Sequence, residues 1–424
     1  MKILIRQGRV VDPANGTDEV RDLYIEKGVV AESARQIQKG ADTVIEAAGR
    51  IVLPGLIDMH VHLREPGRED KETIETGTRA ALRGGVTTVL AMPNTDPPMD
   101  TVDHVHWLMD VVRKTAAARV LVSGTMTRGR RGEDAVTAAE LQKAGVVALT
   151  DDGSSVENIE VMQEVLRQAK EAGLLVICHS EDKTLAGRGV VNLGYMSTCL
   201  GLRGIPREAE FKRVERDIEL AGMTGCPVHI AHVSCRESID IIWRAKNKQI
   251  RVTADTAPHY FSLSEEALAN YDTNFKVNPP LRTAEDVAAI RGGLKDGTLD
   301  CIASDHAPHT ENEKEIEFER AAFGVVGLET ELAVAVTELV EKRVLTWSQL
   351  AERLCVNPAR ILGCGRGDLK VGAPADIAIV DPAASWTVRG EEFASKSRNS
   401  AFLGRTLKGY VTHTIRDGKV VFTR

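Results

Sequence analysis

The chain has 424 residues, 43% hydrophobic and 27% charged, with a formal net charge of −7 at pH 7. That length suits one large domain with a smaller appendage, and the mild negative charge argues against a nucleic-acid or acidic-membrane partner. Seven scattered cysteines without a C-x-x-C pair suit a reduced, cytoplasmic protein rather than a disulfide scaffold.

The N-terminal "MKILIRQGRVVDP" alternates polar and apolar residues and lacks the continuous apolar stretch of a signal peptide. No apolar run approaches the roughly 18 residues that a membrane span needs. "IRQGRVV" (5–11), "IEKGVV" (25–30) and "IRDGKVV" (415–421) share a pattern of strand, polar-Gly turn and strand. Asp417-Gly418 is a strong hairpin signal, because both central residues of a type I′ turn need positive φ. Each end alone is too short to bury a β core. Residues 1–53 and 365–424 are therefore expected to form one small β domain around a central domain of residues 54–364.

Short β-branched runs then alternate with helical patterns. The runs are "GLIDMHVH" (55–62), "GVTTVLAM" (85–92), "RVLVSG" (119–124), "GVVALTD" (145–151), "GLLVICH" (173–179), "PVHIAH" (227–232), "IRVTAD" (250–255) and "LDCIASD" (299–305). Their near-continuous apolar character is that of parallel strands buried on both faces. Eight strands and their crossovers predict an α/β fold, a (β/α)8 TIM barrel. The competing open doubly wound sheet lacks a Gly-rich phosphate turn after its first strand. The late window "VVGLETELAVAVTELV", broken by Glu329, Glu331 and Glu338, reads as an amphipathic helix.

The polar residues at the strand ends carry the chemistry. Strand 1 ends in His60 and His62, strand 4 in Asp151-Asp152, strand 5 in His179, strand 6 in His232 and strand 8 in Asp305. All lie at C-terminal strand ends, the rim where barrel enzymes place their active sites. Residues i and i+2 of a strand share a face, so His60 and His62 point to one centre. Imidazoles and carboxylates converging in this way suit zinc, and six such residues suit a two-ion site bridged by a carboxylate. Neighbours on a strand point oppositely, so only one of Asp151 and Asp152 serves, and spacing does not choose. Arg64, just past the histidines, makes the centre one built to receive an anion. His104 and His106 repeat the H-x-H spacing, but in a helical pattern where i and i+2 diverge. His229 reads as structural, His413 has no role, Cys178 should face away from the centre, and His259 is a weaker candidate for the site wall.

"DMHVHLREPG", "AMPNTDPP", "TDDG", "ICHSED", "IAHVS", "NPPLR", "ASDHAPH" and "FGVVGLET", in this order, resemble the class I bacterial dihydroorotases of the amidohydrolase superfamily. The resemblance runs from the first hairpin to the last. It implies a barrel of the metal-dependent hydrolase type with a small β domain made from both termini. It makes His60, His62, Asp152, His179, His232 and Asp305 ligands of one or two zinc ions. Asp152 then stands where many relatives carry a carboxylated lysine. The implied activity is the reversible cyclisation of N-carbamoyl-L-aspartate to dihydroorotate in pyrimidine biosynthesis, with Asp305 as the proton carrier. Arg64, Asn94 and His309 would hold the substrate's carboxylate, and Asn278 with backbone groups of Phe323 and Gly324 would surround its ring. His62 would border the substrate as well.

A cytoplasmic homodimer is the family expectation, and association with aspartate transcarbamoylase is open. Two other readings compete. Dihydropyrimidinases, hydantoinases and allantoinases share the barrel but act on rings without that carboxylate, and a desolvated arginine has no use there. Noncatalytic dihydroorotase-like scaffolds of transcarbamoylase lose metal ligands, and none is lost here. The charge-dense segment 310–324 reads as either a lid over the site or a solvated loop.

Overall fold

The computed structural model of the chain describes residues 1–424. Its first strand, β1 (Lys2–Asp12), runs straight through the segment where the sequence suggested a turn at Gln7-Gly8. Gln7 adopts a φ of 56° and donates its N–H to Asp22 Oδ1 at 2.9 Å. The pairing register with β2 (Thr17–Glu26) shifts between Ile5 and Gly8. The glycine that looked like a turn therefore sits in a β-bulge. A Cβ on it would lie 2.5 Å from Val52 Cγ2. Lys27-Gly28 does turn, leading from β2 into β3 (Val29–Ala34). Asp417-Gly418, with φ of 47° and 70°, forms the expected hairpin at the other end of the chain. The two hairpins touch: a Cβ on Gly418 would meet Gly28 Cα at 2.6 Å.

After β4 (Thr43–Glu46) and β5 (Ile51–Pro54), the apolar runs become eight parallel strands. These are β6 (Leu56–Val61), β7 (Val86–Ala91), β8 (Arg119–Gly124), β9 (Val146–Leu149), β10 (Leu175–Cys178) and, past a short separate pair, β11 (Val191–Asn192) with β12 (Gly204–Ile205), the strands β13 (Val228–Ile230), β14 (Val252–Thr256) and β15 (Cys301–Ile302). Each pairs with the next in parallel. A parallel bridge between Val61 and His306, with His62 N–H donating to His306 O at 2.9 Å, closes the ring. Helices such as Ile74–Arg83, Ile159–Ala172 and Glu208–Thr224 cover the outside, where the helical patterns were expected. The fold is the (β/α)8 barrel.

The C-terminal strands β16 (Ile377–Thr387), β17 (Thr406–Arg416) and β18 (Lys419–Thr423) join the N-terminal ones through antiparallel pairing of β16 with β5. One apolar cluster holds Ile3, Ile5, Leu23 and Ile25 against Ile377, Ile379 and Ile415. Burying an aliphatic side chain contributes roughly 1.5–3 kcal/mol, so each half supplies much of what stabilises the other.

The late apolar window differs from expectation. It is a helix, Glu331–Ala335 followed by wider π turns over Val336–Val340, but its first turn is buried all round and only Thr337, Glu338 and Val340 reach the surface. β17 packs over it, so closely that a Cβ on Gly409 would lie 3.0 Å from Val336. Glu331 lies on the helix's other side, toward Asp58 and Asp255 of the barrel, and the Glu329 carboxylate accepts the N–H groups of Ala394 and Ser395, so neither is solvated. Glu329 pairs with Arg83 at 2.9 Å, and burial pushes the unpartnered Glu331 carboxyl well above its usual range. No helix is long and apolar enough to cross a membrane.

Candidate active site

At the C-terminal rim of the barrel, the period-2 alternation of β6 turns the side chains of His60 and His62 to the same side. Both are buried, as are Asp152, His179, His232 and Asp305. Asp152 lies at the middle of this group. Its Oδ1 is 3.2 Å from His60 Nε2, 3.6 Å from His179 Nδ1 and 3.7 Å from His232 Nε2, while its Oδ2 is 3.5 Å from His62 Nε2. Asp305 Oδ1 is 3.3 Å from His62 Nε2 and 3.6 Å from His60 Nε2. His179 Nδ1 and His232 Nε2 approach each other at 2.8 Å. The structure thus brings all six strand-end residues into one cluster.

Asp151 faces away. Its Oδ1 accepts the N–H of Met126 at 2.8 Å and that of Thr127 at 3.2 Å, and its Oδ2 accepts the Thr127 hydroxyl. Alternation along the strand end separates the two aspartates into a structural and a site carboxylate.

Three residues at this rim occupy the left-handed region that side chains rarely adopt: Arg64 at φ 61°, His232 at 39° and Asp305 at 48°. Neighbouring carboxylates hold the turns at His232 and Asp305. Asp255 Oδ1 accepts the His232 N–H at 2.6 Å, and Asp58 accepts the N–H of His60 at 3.0 Å and of Ser304 at 3.2 Å. Sequence reasoning missed both supports. Asp255 ends strand 7 by the same strand-end rule that found the others.

The electrostatics suit a bound cation. Burial opposes ionisation of Asp152, but His60, His179 and His232 outweigh it and hold the carboxyl well below its usual range. Asp305 is likewise held down, against burial, by its bond to His62 and the charge of His60. Burial would depress His60 and His179, yet Asp152 and its neighbours raise them to about 10 and about 9. His60 Nε2 and Nδ1, and Nε2 of His179, have no hydrogen-bond partner although buried. Buried imidazoles with unpartnered nitrogens around two ionised carboxylates fit a metal centre. The ligand atoms of His60, Asp152 and His232, and those of His60, His62 and Asp305, each lie within 4.8 Å of one another.

A cavity of about 240 Å³ opens above the cluster. His62, Arg64, Asn94, Asn278, His309, Phe323 and Gly324 all line it. Arg64 has no carboxylate partner: Asp70 pairs with Arg68, and Glu65 accepts the N–H of Ile74. Its Nε donates to Pro308 O at 3.2 Å, and burial lowers its pKa to about 10, still a cation at neutral pH. Asn94 Oδ1 meets His62 Nδ1 at 2.9 Å. His309 Nε2 donates to Phe323 O at 2.8 Å. Gly324 is engaged internally, its N–H with Lys276 O at 2.9 Å and its carbonyl with Lys314 Nζ at 3.0 Å, whereas the Phe323 N–H has no partner in the chain.

The segment 310–324 is pinned by buried Lys314 and Lys276, whose ammonium groups donate to the carbonyls of residues 318, 319, 322 and 324. The other histidines lie elsewhere. His104 caps Pro98 O on the helix Val102–Thr115, which also carries His106. His229 bridges Thr253 and Asp255 at 2.8 Å each, and His413 sits in β17. His259 is buried against Tyr260 and does not line the cavity. Cys178 is buried, and all seven cysteines are free thiols.

The whole fold superimposes on hydantoinases. L-hydantoinase from Arthrobacter aurescens matches with a TM-score of 0.90 and 24% identity over 99% of this chain and 95% of its own. Dihydropyrimidinase from Brevibacillus agri matches at 0.86 and 24% over 100% and 95%. The chain therefore shares the hydantoinase fold, a barrel with its small β domain.

Sequence similarity is more particular. A dihydro-orotase-like family model matches residues 49–238. A dihydroorotase from Geotalea daltonii is 50% identical over 100% of both chains, and one from Pelotomaculum thermopropionicum is 50% identical over 99% of this chain and 98% of its own. The chain belongs to the dihydroorotase family.

Proposed function

We propose that this chain interconverts N-carbamoyl-L-aspartate and dihydroorotate at the rim cavity, with one or two zinc ions held by His60, His62, Asp152, His179, His232 and Asp305. The observation that carries the reading is Arg64, an unpaired guanidinium facing the same cavity as the histidine–aspartate cluster. A cation kept without a carboxylate partner in a half-buried wall serves an anionic ligand.

When bound, zinc brings the pKa of water down toward about 7 and polarises the amide carbonyl. Asp305, ionised at neutral pH, takes the proton from the attacking water and passes it to the leaving ring nitrogen. In ring closure the same carboxylate takes the proton from the carbamoyl nitrogen as it attacks the side-chain carboxyl carbon, and gives it to the departing hydroxyl, which leaves as water. Arg64 holds the ring carboxylate through its planar fork, with Asn94 Nδ2 and His309 Nε2–H beside it. Asn278 and the free Phe323 N–H orient the ring, and Gly324 leaves room: a Cβ there would lie 2.6 Å from Ala307 Cβ. The family resemblance extends the proposal to a cytoplasmic homodimer, with aspartate transcarbamoylase as a further partner to be sought by copurification.

The test is turnover by zinc-supplied protein, with dihydroorotate and dihydrouracil in competition and Asp305→Ala alongside. The proposal expects turnover of dihydroorotate only, abolished in the variant. Preference for dihydrouracil would place the chain with the dihydropyrimidinases, and inactivity toward both despite bound zinc would make it a scaffold.

A further inference from the structure

Lys71 lies on the connection between β6 and the helix Ile74–Arg83 and is buried, 5% exposed. Its ammonium is 2.8 Å from Glu313 Oε1 and 3.3 Å from His309 Nδ1. The same imidazole nitrogen lies 3.3 Å from Glu313 Oε2. The ring's other nitrogen, Nε2, is 2.8 Å from the carbonyl of Phe323. A carbonyl only accepts, so Nε2 carries a proton. Burial and the cations Arg64 and Lys71 lower the His309 pKa to about 3, so the ring is neutral and Nδ1 presents a lone pair. That lone pair faces a carboxylate, an unfavourable contact unless a donor stands between them. Lys71 is that donor.

We propose that Lys71 is a positioning residue for substrate selection: bridging His309 Nδ1 and Glu313, it fixes the His309 proton on Nε2, the edge that meets the ligand's carboxylate. The inference rests on the reading of the cavity as a dihydroorotate site. Without Lys71, the Glu313 carboxylate competes with the Phe323 carbonyl for the single ring proton and draws it to Nδ1, and Nε2 turns a lone pair toward an anion. Arg64 Nη2, 3.4 Å from Nε2, then binds the carboxylate beside a repelling atom instead of a second donor. Glu313 belongs to the segment 310–324, so the same bridge ties that segment to the specificity pocket.

The experiment uses zinc-loaded full-length protein, with dihydroorotate kinetics and ¹⁵N-histidine NMR of the His309 tautomer. Lys71→Met should move the proton to Nδ1 and raise KM about tenfold, the scale of one charge-assisted hydrogen bond, with kcat changed less than about threefold. Lys71→Arg should restore KM to within about threefold. The double variant Lys71→Met/Glu313→Gln removes both the donor and the competing carboxylate without stranding a buried charge. It should return the proton to Nε2 and most of the affinity. A raised KM with the tautomer unchanged would mean direct contact or packing and overturn the proposal, as would an unchanged KM in Lys71→Met. Arg64→Met separates the two levels. If it leaves KM unchanged, the cavity reading fails; if it raises KM while Lys71→Met does not, only the role of Lys71 fails.

Discussion

Oδ1 of Asn94 lies 2.9 Å from Nδ1 of His62. An amide oxygen only accepts, so this contact puts a proton on His62 Nδ1 and orients the ring with Nε2 toward Asp152 and Asp305. In the proposed site, Asn94 would orient His62 as a metal ligand and keep its amide nitrogen for the substrate. Removing such an outer partner typically lowers metal affinity 10–100-fold. Asn94→Ala should therefore weaken zinc binding by about that factor in a chelator competition, and raise KM for dihydroorotate as well.

Arg64→Lys keeps the charge but loses the planar fork. Loss of one charge-assisted bond, roughly 1.5–3 kcal/mol, predicts a fall in kcat/KM of about 10–100-fold with zinc content unchanged. Steady-state kinetics with metal analysis checks it. Equal activity in Arg64→Lys would mean that the cation acts only as a point charge.

The two adjacent aspartates should separate cleanly. Asp151→Ala removes the acceptor for two backbone N–H groups and a hydroxyl, all buried. It should cost roughly 2–4 kcal/mol in urea unfolding while zinc binding persists. Asp152→Ala should show the reverse: a chain that folds, but holds little zinc and turns over no substrate.

Lys314 gives the stability a pH dependence. Its side chain is buried among the carbonyls of Ala322 and Gly324, and burial, with Lys276 nearby, lowers its pKa to about 7. In the unfolded chain the amine titrates near 10.4. Between these values the unfolded state binds more protons, so this group makes stability rise with pH, by up to about 1.4 kcal/mol per unit. Below about pH 7 the lysine is charged in both states and the slope vanishes. Unfolding measured from pH 7 to 10 should show a flatter profile for Lys314→Met than for wild type.

The barrel was legible because buried parallel strands must be apolar on both faces, and the rim cluster because polar atoms at such strand ends stand out. His60, His62, Asp152, His179, His232 and Asp305 all follow from that contrast, with the family pattern choosing Asp152. What failed depended on distant parts of the chain. Gln7-Gly8 carries the local signature of a turn, and only pairing with β2 and the approach of Val52 make it a bulge. Glu331 looked solvated, but its helix is enclosed on both sides, by the barrel around Asp58 and Asp255 and by Thr406–Arg416 some seventy residues later. Lys71 gave no signal, since its partners His309 and Glu313 are more than two hundred residues away.

The central claim is that the six-residue cluster is a metal centre on which dihydroorotate turnover depends. The direct measurement is zinc titration of chelator-stripped protein, following bound metal and dihydroorotate turnover together. The prediction is that stripped protein is inactive, that turnover returns in proportion to zinc and saturates at one or two equivalents per chain, and that Asp152→Ala recovers neither. Full turnover by the stripped protein, or zinc uptake that leaves turnover unchanged, would contradict it.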